Sequence, residues 1–481
     1  MKRRDFLKIA VINAAAASLP PTLLYGDQTG KKDNPNFCFI LIDDMGWTGL
    51  STLMDDKISQ SKSDFYDTPR LAKFAAESMR FSNAYAPAPM CTPSRASFLT
   101  GKSPAMLHMT SPGGADRQPR KQQILPPRHI NSLPAAEVTI AEILKKQNYA
   151  TAHFGKWHLS GNGPGDHGFD RHDGDMGNGG PGTYTDPNPK DIFGITQRAN
   201  EFMAEQVKAN KNKPFYLQLS HYAVHGPYQA LQKTKTTFTS RNQGNRHNDA
   251  DYAAMTRDLD TSVGMVLDKI ERLGIKDNTY IVFMSDNGAG NPRNPGENAP
   301  LNKGKATLWE GGIRVPLIVR GPNIRPNTFC RTNVIGYDLL PTFCEVANAS
   351  SGPDNIEGVS LVPLFSGKSK TFNRKDDLVF HFPHYGKGPV QTPQSAILQG
   401  QWKLIKWYGT GEVRLFDLSK DIGETTDLSK QNPEKTAELY RKLTAYLKRV
   451  HAQLPIKNPN YDSVAAKAEV RQRRSRVNNR K

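Results

Sequence analysis

Cysteine is scarce: Cys38, Cys91, Cys330 and Cys344 are the four in 481 residues. That excludes a disulfide scaffold and leaves stability to a hydrophobic core. Cys38 lies inside an apolar run and reads as core. Cys330 and Cys344 are the two that could pair in an exported protein, and spacing alone does not decide it. Zinc-finger spacing is absent, as is any basic stretch interleaved with aromatics, which excludes a folded nucleic-acid module. Past the N-terminus there is no apolar run long enough to cross a bilayer, and no internal repeat. Acidic residues are outnumbered, 46 against 64 Lys and Arg, for a formal net charge of +18. Part of the excess sits at the ends, in Lys2-Arg3-Arg4, in the run Arg471 to Arg476, and in Arg480-Lys481. The positive balance suits an anionic surface or an anionic polymer substrate.

What is present begins with an address. Lys2-Arg3-Arg4-Asp5-Phe6-Leu7-Lys8 resembles the twin-arginine export signal of bacteria, and Ile9 to Leu19 is a short, weakly apolar stretch. It is too short to span a membrane and suits a signal h-region, with an amphipathic N-terminal helix as the alternative. Residues 1–26 are read as signal peptide, so the expected partner is the twin-arginine export machinery and the expected location periplasmic or secreted. No cysteine lies nearby to carry a lipid, so no stable membrane anchor is expected.

The pattern along the chain predicts an α/β fold with a large, mostly parallel sheet flanked by helices. Asn36 to Ile42 is continuously apolar and of strand length, as a strand buried on both faces requires. Further strands are expected over 149–154, 214–220, 279–284 and 315–320. Helices are expected over 69–79, 138–147, 195–209, 250–273 and 338–347. Such alternation indicates βα units. After about residue 370 short strands crowd together, over 378–382, 395–398, 402–405 and 414–417, before a last helix over 433–450. The expected organisation is therefore a catalytic domain over 27–370, a smaller C-terminal α+β subdomain with a short antiparallel sheet over 371–460, and a basic, disordered tail over 461–481.

Chemistry gathers at strand ends. Asp43-Asp44 follow the first strand and Asp286-Asn287 a later one, where ligands of open α/β sheets bind. Four oxygen donors suit a hard cation such as Ca²⁺ or Mg²⁺, although either pair alone reads equally as a helix cap or Asx-turn. Cys91-Thr-Pro-Ser-Arg95 puts a thiol before an apolar, helix-like run with a guanidinium one turn on, and both features favour negative charge. Gly155-Lys-Trp-His-Leu159, Tyr222-Ala-Val-His-Gly-Pro-Tyr228 and Gly304-Lys-Ala-Thr-Leu-Trp-Glu-Gly-Gly-Ile-Arg-Val-Pro316 carry the remaining candidates.

Together these stretches resemble the formylglycine-dependent (type I) sulfatases of the alkaline-phosphatase superfamily, in particular bacterial carbohydrate sulfatases. The likeness covers most of residues 36–430, including Leu415 to Leu428, which is similar to the family's closing segment. One departure is Ser160, where the second signature ends in glycine. The resemblance implies that a maturation enzyme oxidises Cys91 to formylglycine (3-oxoalanine). It implies that Asp43, Asp44, Asp286, Asn287 and the modified Cys91 bind Ca²⁺, with Mg²⁺ not excluded by the donors. Arg95 and Lys156 would hold the hydrated aldehyde, and Lys305, chosen over Lys303 by its spacing to Glu310, would contact sulfate. In the implied reaction one hydroxyl at position 91 attacks sulfur in line while His225, preferred over His221, protonates the departing alcohol. His158 then removes a proton from the other hydroxyl so that sulfate is expelled. The implied substrate is a sulfated polysaccharide or oligosaccharide, with a galactose or N-acetylgalactosamine sulfate as one candidate. His108, the 163–182 loop (Asp166, His167, Arg171, His172 and Asp173) and Phe380 to Tyr385 are expected near the substrate, without catalytic roles. Two alternatives stay open: a phosphonate or phosphate-diester hydrolase of the same superfamily, and an unmatured, non-catalytic glycan-binding protein.

Overall fold

Asn36 and the six consecutive apolar residues Phe37 to Ile42 form the central strand β1 (Asn36–Ile42), and all seven are buried. In the computed structural model, which describes residues 34–113, 122–178, 180, 186–209, 213–291, 293–294, 296–349, 352–367, 371–386, 390–462 and 464, β1 joins seven further strands. They are β2 (Met79–Phe81), β3 (Ala150–Gly155), β4 (Arg171–His172), β5 (Phe215–Ser220), β6 (Thr279–Ser285), β7 (Leu317–Arg320) and β8 (Thr328–Cys330). The sheet order is β8-β2-β7-β6-β1-β5-β3-β4. β1 runs parallel to both neighbours, in register Cys38 with Leu217 and Cys38 with Ile281. β7 alone runs against its neighbours β6 and β2. The expected signal peptide and most of the expected basic tail fall outside the described residues.

The helices are α1 (Pro69–Ala76), α2 (Cys91–Thr100), α3 (Ile140–Lys146), α4 (Ile192–Ala209), α5 (Gln232–Thr239), α6 (Ala250–Arg272), the one-turn α7 (Glu310–Ile313), α8 (Leu339–Val346) and α9 (Pro433–Arg449). Alternate β1 side chains face opposite layers, as the strand period requires. Cys38, Ile40 and Ile42 pack with Ile195, Phe202, Leu259 and Val263 of α4 and α6. Phe37, Phe39 and Leu41 pack with Phe98, Ile143 and Phe343 of α2, α3 and α8. Each such fully buried side chain contributes about 1.5–3 kcal/mol. Local signals fix the helix starts. Thr139 accepts from the Glu142 amide while the Glu142 carboxylate accepts from the Thr139 amide. Asp249 caps α6 by accepting from the Asp251 and Tyr252 amides.

The helix expected over 69–79 stops at Ala76, because Met79–Phe81 leaves it to become β2. The C-terminal strands β9 (Leu378–Phe382), β10 (Gln394–Gln399), β11 (Trp402–Trp407) and β12 (Val413–Asp417) form one antiparallel sheet. One of its faces packs on Leu439, Leu443 and Leu447 of α9. The other packs on Leu308, Trp309 and Ile313, in and just before α7. Cys330 and Cys344, the pair left open by the sequence, are both free thiols.

Candidate active site

Three strand ends and one helix start meet at the carboxyl edge of the sheet. β1 runs into Asp43-Asp44 and β6 into Asp286-Asn287, and the Asp286 amide donates to the Ile42 carbonyl at 3.0 Å. Asp44 turns into the left-handed region (φ 63°), and its amide donates to Asp286 Oδ1 at 3.2 Å. One carboxylate oxygen from each of Asp43, Asp44 and Asp286 falls within 4.8 Å of the others, and all three residues are buried. Asn287 Nδ2 donates to Asp44 Oδ1 at 2.7 Å. β3 ends at Gly155 (φ 96°), where a Cβ would stand 2.1 Å from the Ser220 carbonyl oxygen; only glycine lets β3 lie this close to β5. Lys156 follows, fully buried, and its Nζ donates to Asp43 Oδ2 at 2.6 Å.

Cys91 is the first residue of α2, and all ten residues of that helix are buried. Its Sγ lies 3.4 Å from His158 Nδ1, and Thr92 Oγ1 donates to the His158 carbonyl at 3.0 Å. One turn on, Arg95 donates from Nε to Asp286 Oδ2 at 2.9 Å and from Nη1 to the Lys156 carbonyl at 2.7 Å. His225 Nε2 lies 3.8 Å from Asp44 Oδ2, and its Nδ1 faces the Gly226 carbonyl at 2.6 Å. Lys305 Nζ donates to both Asp44 oxygens, at 2.6 and 2.8 Å. The 304–316 stretch can press against β6 because residues 288, 311 and 312 are glycines. A Cβ on Gly288 would stand 1.8 Å from the Gly311 carbonyl oxygen.

The ten sequence-selected residues therefore converge, and their charges are matched. Three carboxylates, Asp43, Asp44 and Asp286, face three cations, Arg95, Lys156 and Lys305. Burial alone would raise Asp43, but Lys156, His225, Arg95 and Lys305 hold it below the usual carboxylate range. Burial and the neighbouring Asp43 push Asp286 upward despite Arg95. Burial, then Lys156 and Arg95, drive His158 down to about 3, so its imidazole is neutral. Burial lowers His225 as well, while Asp43 and Asp44 oppose that shift. Burial would lower Lys305, but Asp44 holds its ammonium above the ordinary lysine value.

Donor chemistry fits a hard cation. Asp43 Oδ1 and Asn287 Oδ1 are buried without a hydrogen-bond partner among the described residues, an arrangement that costs free energy unless something positive meets them. Oxygen-only ligation is the Ca²⁺ and Mg²⁺ preference, and a dication added to a balanced set would leave net positive charge for an anion.

Other candidates have different surroundings. Neither ring nitrogen of the buried His221 has a hydrogen-bond partner among the described residues; burial takes it down to about 4, and the charges acting on it are Asp191 and Arg198. His108 faces the His451 carbonyl, and His381 sits between Ser395 and the Gln453 carbonyl. His384 meets Thr110, and His167 stacks on Trp157. Asp173 accepts from the Gly155 amide at 2.7 Å and so braces the turn before Lys156. Two contributors have no sequence signal. Lys190 is buried, and its Nζ donates at 3.3 Å to the carbonyls of Gly226 and Pro227, beside His225. Lys403 of β11 is fully buried between Glu310 and Glu424, 2.8 Å from each.

With this geometry in place, comparison with known proteins is informative. The sulfatase family model matches residues 35–349, and a model described as N-sulphoglucosamine sulphohydrolase, C-terminal, matches 303–453. A sulfatase of Formosa agariphila is 28% identical over 508 aligned positions, covering 89% of this chain and 90% of its own. The N-acetylgalactosamine-6-sulfatase of Canis lupus familiaris is 30% identical over 423, covering 80% and 74%. Among solved structures, Ps i-CgsB in complex with k-i-k-neocarrahexaose superposes with a TM-score of 0.70 at 27% identity, covering 86% of this chain and 93% of that one.

Proposed function

This chain belongs to the sulfatase family and is a sulfuric ester hydrolase, and from that premise we propose that its substrate is a sulfated polysaccharide or oligosaccharide, with Cys91 the precursor of the nucleophile. The observation that carries this reading is the convergence of Cys91, Arg95, Lys156 and His158 on the Asp43–Asp44–Asp286 carboxylates. Similarity to N-acetylgalactosamine-6-sulfatases and to a structure solved with a carrageenan-type oligosaccharide supports a sugar ester.

Oxidised to an aldehyde and hydrated, position 91 supplies an oxygen nucleophile for sulfur. Asp43, Asp44, Asp286 and Asn287 would hold a hard dication, Ca²⁺ or Mg²⁺, which when bound would supply fixed positive charge for the sulfuryl oxygens. The protein's own groups do the rest. Arg95 and Lys156 line position 91 and fix the carboxylates, so the cationic wall needs no reorganisation during reaction. His158, kept neutral by burial and two cations, faces the residue-91 side chain and is placed to accept a proton there. His225 is oriented through Nδ1 on the Gly226 carbonyl. Its Nε2 lies beside Asp44, and the Asp43 and Asp44 charges favour the imidazolium form that delivers the Nε2 proton to the departing alcohol, which matters for a poor alkoxide leaving group. Lys305 adds a cation beside Asp44 for the sulfate oxygens. Export through the N-terminal signal and oxidation by a maturation enzyme belong to this proposal. Among the described residues no helix is long and apolar enough to cross a membrane.

The test is sulfate release from a panel of defined sulfated oligosaccharides, with an aryl phosphodiester alongside. We expect turnover of at least one sulfated sugar by the matured protein and none by Cys91→Ala with the fold intact. Unchanged release by Cys91→Ala, or a preference for the phosphodiester, would overturn the reading.

A further inference from the structure

A cavity of about 280 Å³ opens where the catalytic stretch around Lys305 meets the C-terminal sheet. We propose that it is a second glycan subsite, holding a sulfated sugar unit of the same chain whose ester is cleaved at the active site. The proposal rests on the glycan-sulfatase reading and adds to it where the substrate extends.

Position is the first argument. Lys303, on the cavity wall, lies two residues from Lys305, whose ammonium sits on Asp44. The opposite wall carries Val390 and Thr392, and Gln391 between them donates to the Lys305 carbonyl at 2.9 Å. The cavity thus shares backbone with the catalytic lysine, as a neighbouring subsite of one polymer would.

Chemistry is the second. Two indoles line the cavity with ring centroids 5.7 Å apart, the half-buried Trp407 offering its surface and Trp309 buried against Phe416 behind it. Large, rigid aromatic surface of this kind suits the apolar C–H surface of a sugar ring. The Arg414 guanidinium lies 5.2 Å over the Trp407 ring and is fixed by its Nε on Glu412 at 2.7 Å. Its two Nη groups have no acceptor among the described residues, and the Lys303 ammonium has no carboxylate partner among them. Two cations against the single Glu412 carboxylate give the lining a net positive charge. Aromatic surface beside unengaged, forked donors matches a sugar that carries a sulfate, not a neutral sugar or a cation. Lys303 is the lysine that the active-site motif passes over, and this gives it a use.

The experiment uses the matured full-length protein and the double variant K303Q/R414Q. The probes are sulfated galactan and chondroitin sulfate tetrasaccharides, their sulfated monosaccharides, and 4-nitrophenyl sulfate. We expect KM for the preferred tetrasaccharide to rise about a hundredfold, as losing two charge-assisted contacts implies, with kcat nearly unchanged. KM for the monosaccharides and the aryl sulfate should stay the same. Equal effects on short and long substrates, no effect on the tetrasaccharide, or no wild-type preference for tetrasaccharide over monosaccharide would each overturn the subsite. If the wild type cleaves no sulfate ester, the sulfatase reading fails by itself. Calorimetric binding of the same tetrasaccharides to wild type and variant then decides the subsite: weaker binding by the variant supports it, and equal binding refutes it.

Discussion

Replacing Lys403 by Met removes the one ammonium shared by two buried carboxylates. Lys403, Glu310 and Glu424 are all inaccessible, and the ion-pair distances are 2.8 Å to each carboxylate. Glu310 keeps Arg314, whose Nε donates to it at 2.6 Å, but Glu424 keeps only the Glu310 amide, which donates to its Oε2 at 2.7 Å. Breaking a buried ion pair from one side costs about 3–5 kcal/mol, and we expect a loss of that size at pH 8. The loss should also depend on pH. Burial already raises Glu424 to about 7, with Lys403 opposing the shift and Glu310 adding to it. Without Lys403 the carboxyl rises further and stays protonated in the folded variant at pH 8, whereas the unfolded chain releases that proton above about 4.5. A raised folded-state pKa favours the folded form as pH falls. Between pH 8 and 6 the variant therefore regains one proton's worth over more of the range than wild type does. The deficit should shrink by ~1.4 kcal/mol, one pKa unit. Urea unfolding at the two pH values, followed by fluorescence, measures both quantities. A deficit below about 1 kcal/mol at pH 8, or one that grows on acidification, would refute the reasoning. Because Glu310 opens α7 directly after the Lys305 loop, sulfate release should fall in parallel.

Three further outcomes are expected. Chelation should lower the thermal midpoint and added Ca²⁺ restore it, by about 2.7 kcal/mol at one hundred times Kd; Asp286→Asn should lose the response, and an unchanged response would remove that residue from the ligand set. His225→Gln should cost about 10²–10⁴-fold in kcat on alkyl sugar sulfates and far less on 4-nitrophenyl sulfate, whose leaving group needs no acid; equal losses on both would argue against proton delivery. His381 is buried and held down to about 4 by desolvation, below its unfolded value of ~6.5, so its share of stability is present above pH 6.5 and lost as pH falls toward 4. His381→Gln should therefore lose about 1.8 kcal/mol less than wild type between pH 7 and 5 in urea titrations, and identical losses would count against a buried neutral imidazole.

Local signals made much of the site legible. Asp43-Asp44, the Cys91–Arg95 turn and Gly155-Lys156 are each written in adjacent residues, and each stands at the end of a strand or the start of a helix whose apolar pattern is plain. The rest depends on pairings distant in sequence. The reversed direction of β7 is set by its partners β6 and β2, not by Leu317–Arg320 itself. The three-residue strands β2 and β8 are too short to show a period. The largely polar α5 has no apolar stripe beyond Phe238 and Thr234. Lys190 and Lys403 read as ordinary surface lysines until the fold brings them to carbonyls and carboxylates from other segments.

Among the described strands the central one is also the first to be synthesised, and that sets a clock. β1 pairs with β5 and β6, and β5 is complete only roughly 180 residues later, about 10–40 s at ribosomal speed. Throughout that interval Asn36–Ile42 has neither sheet neighbour, and it is an aggregation-prone segment a nascent-chain chaperone would have reason to cover. The same delay leaves α2 without the sheet it packs on. Cys91, buried in the finished molecule, is then open to the oxidation proposed above. Slower translation between residues 91 and 220 would lengthen the interval, and faster translation would shorten it. The fraction of chains carrying an oxidised residue 91 would then be set partly by codon choice.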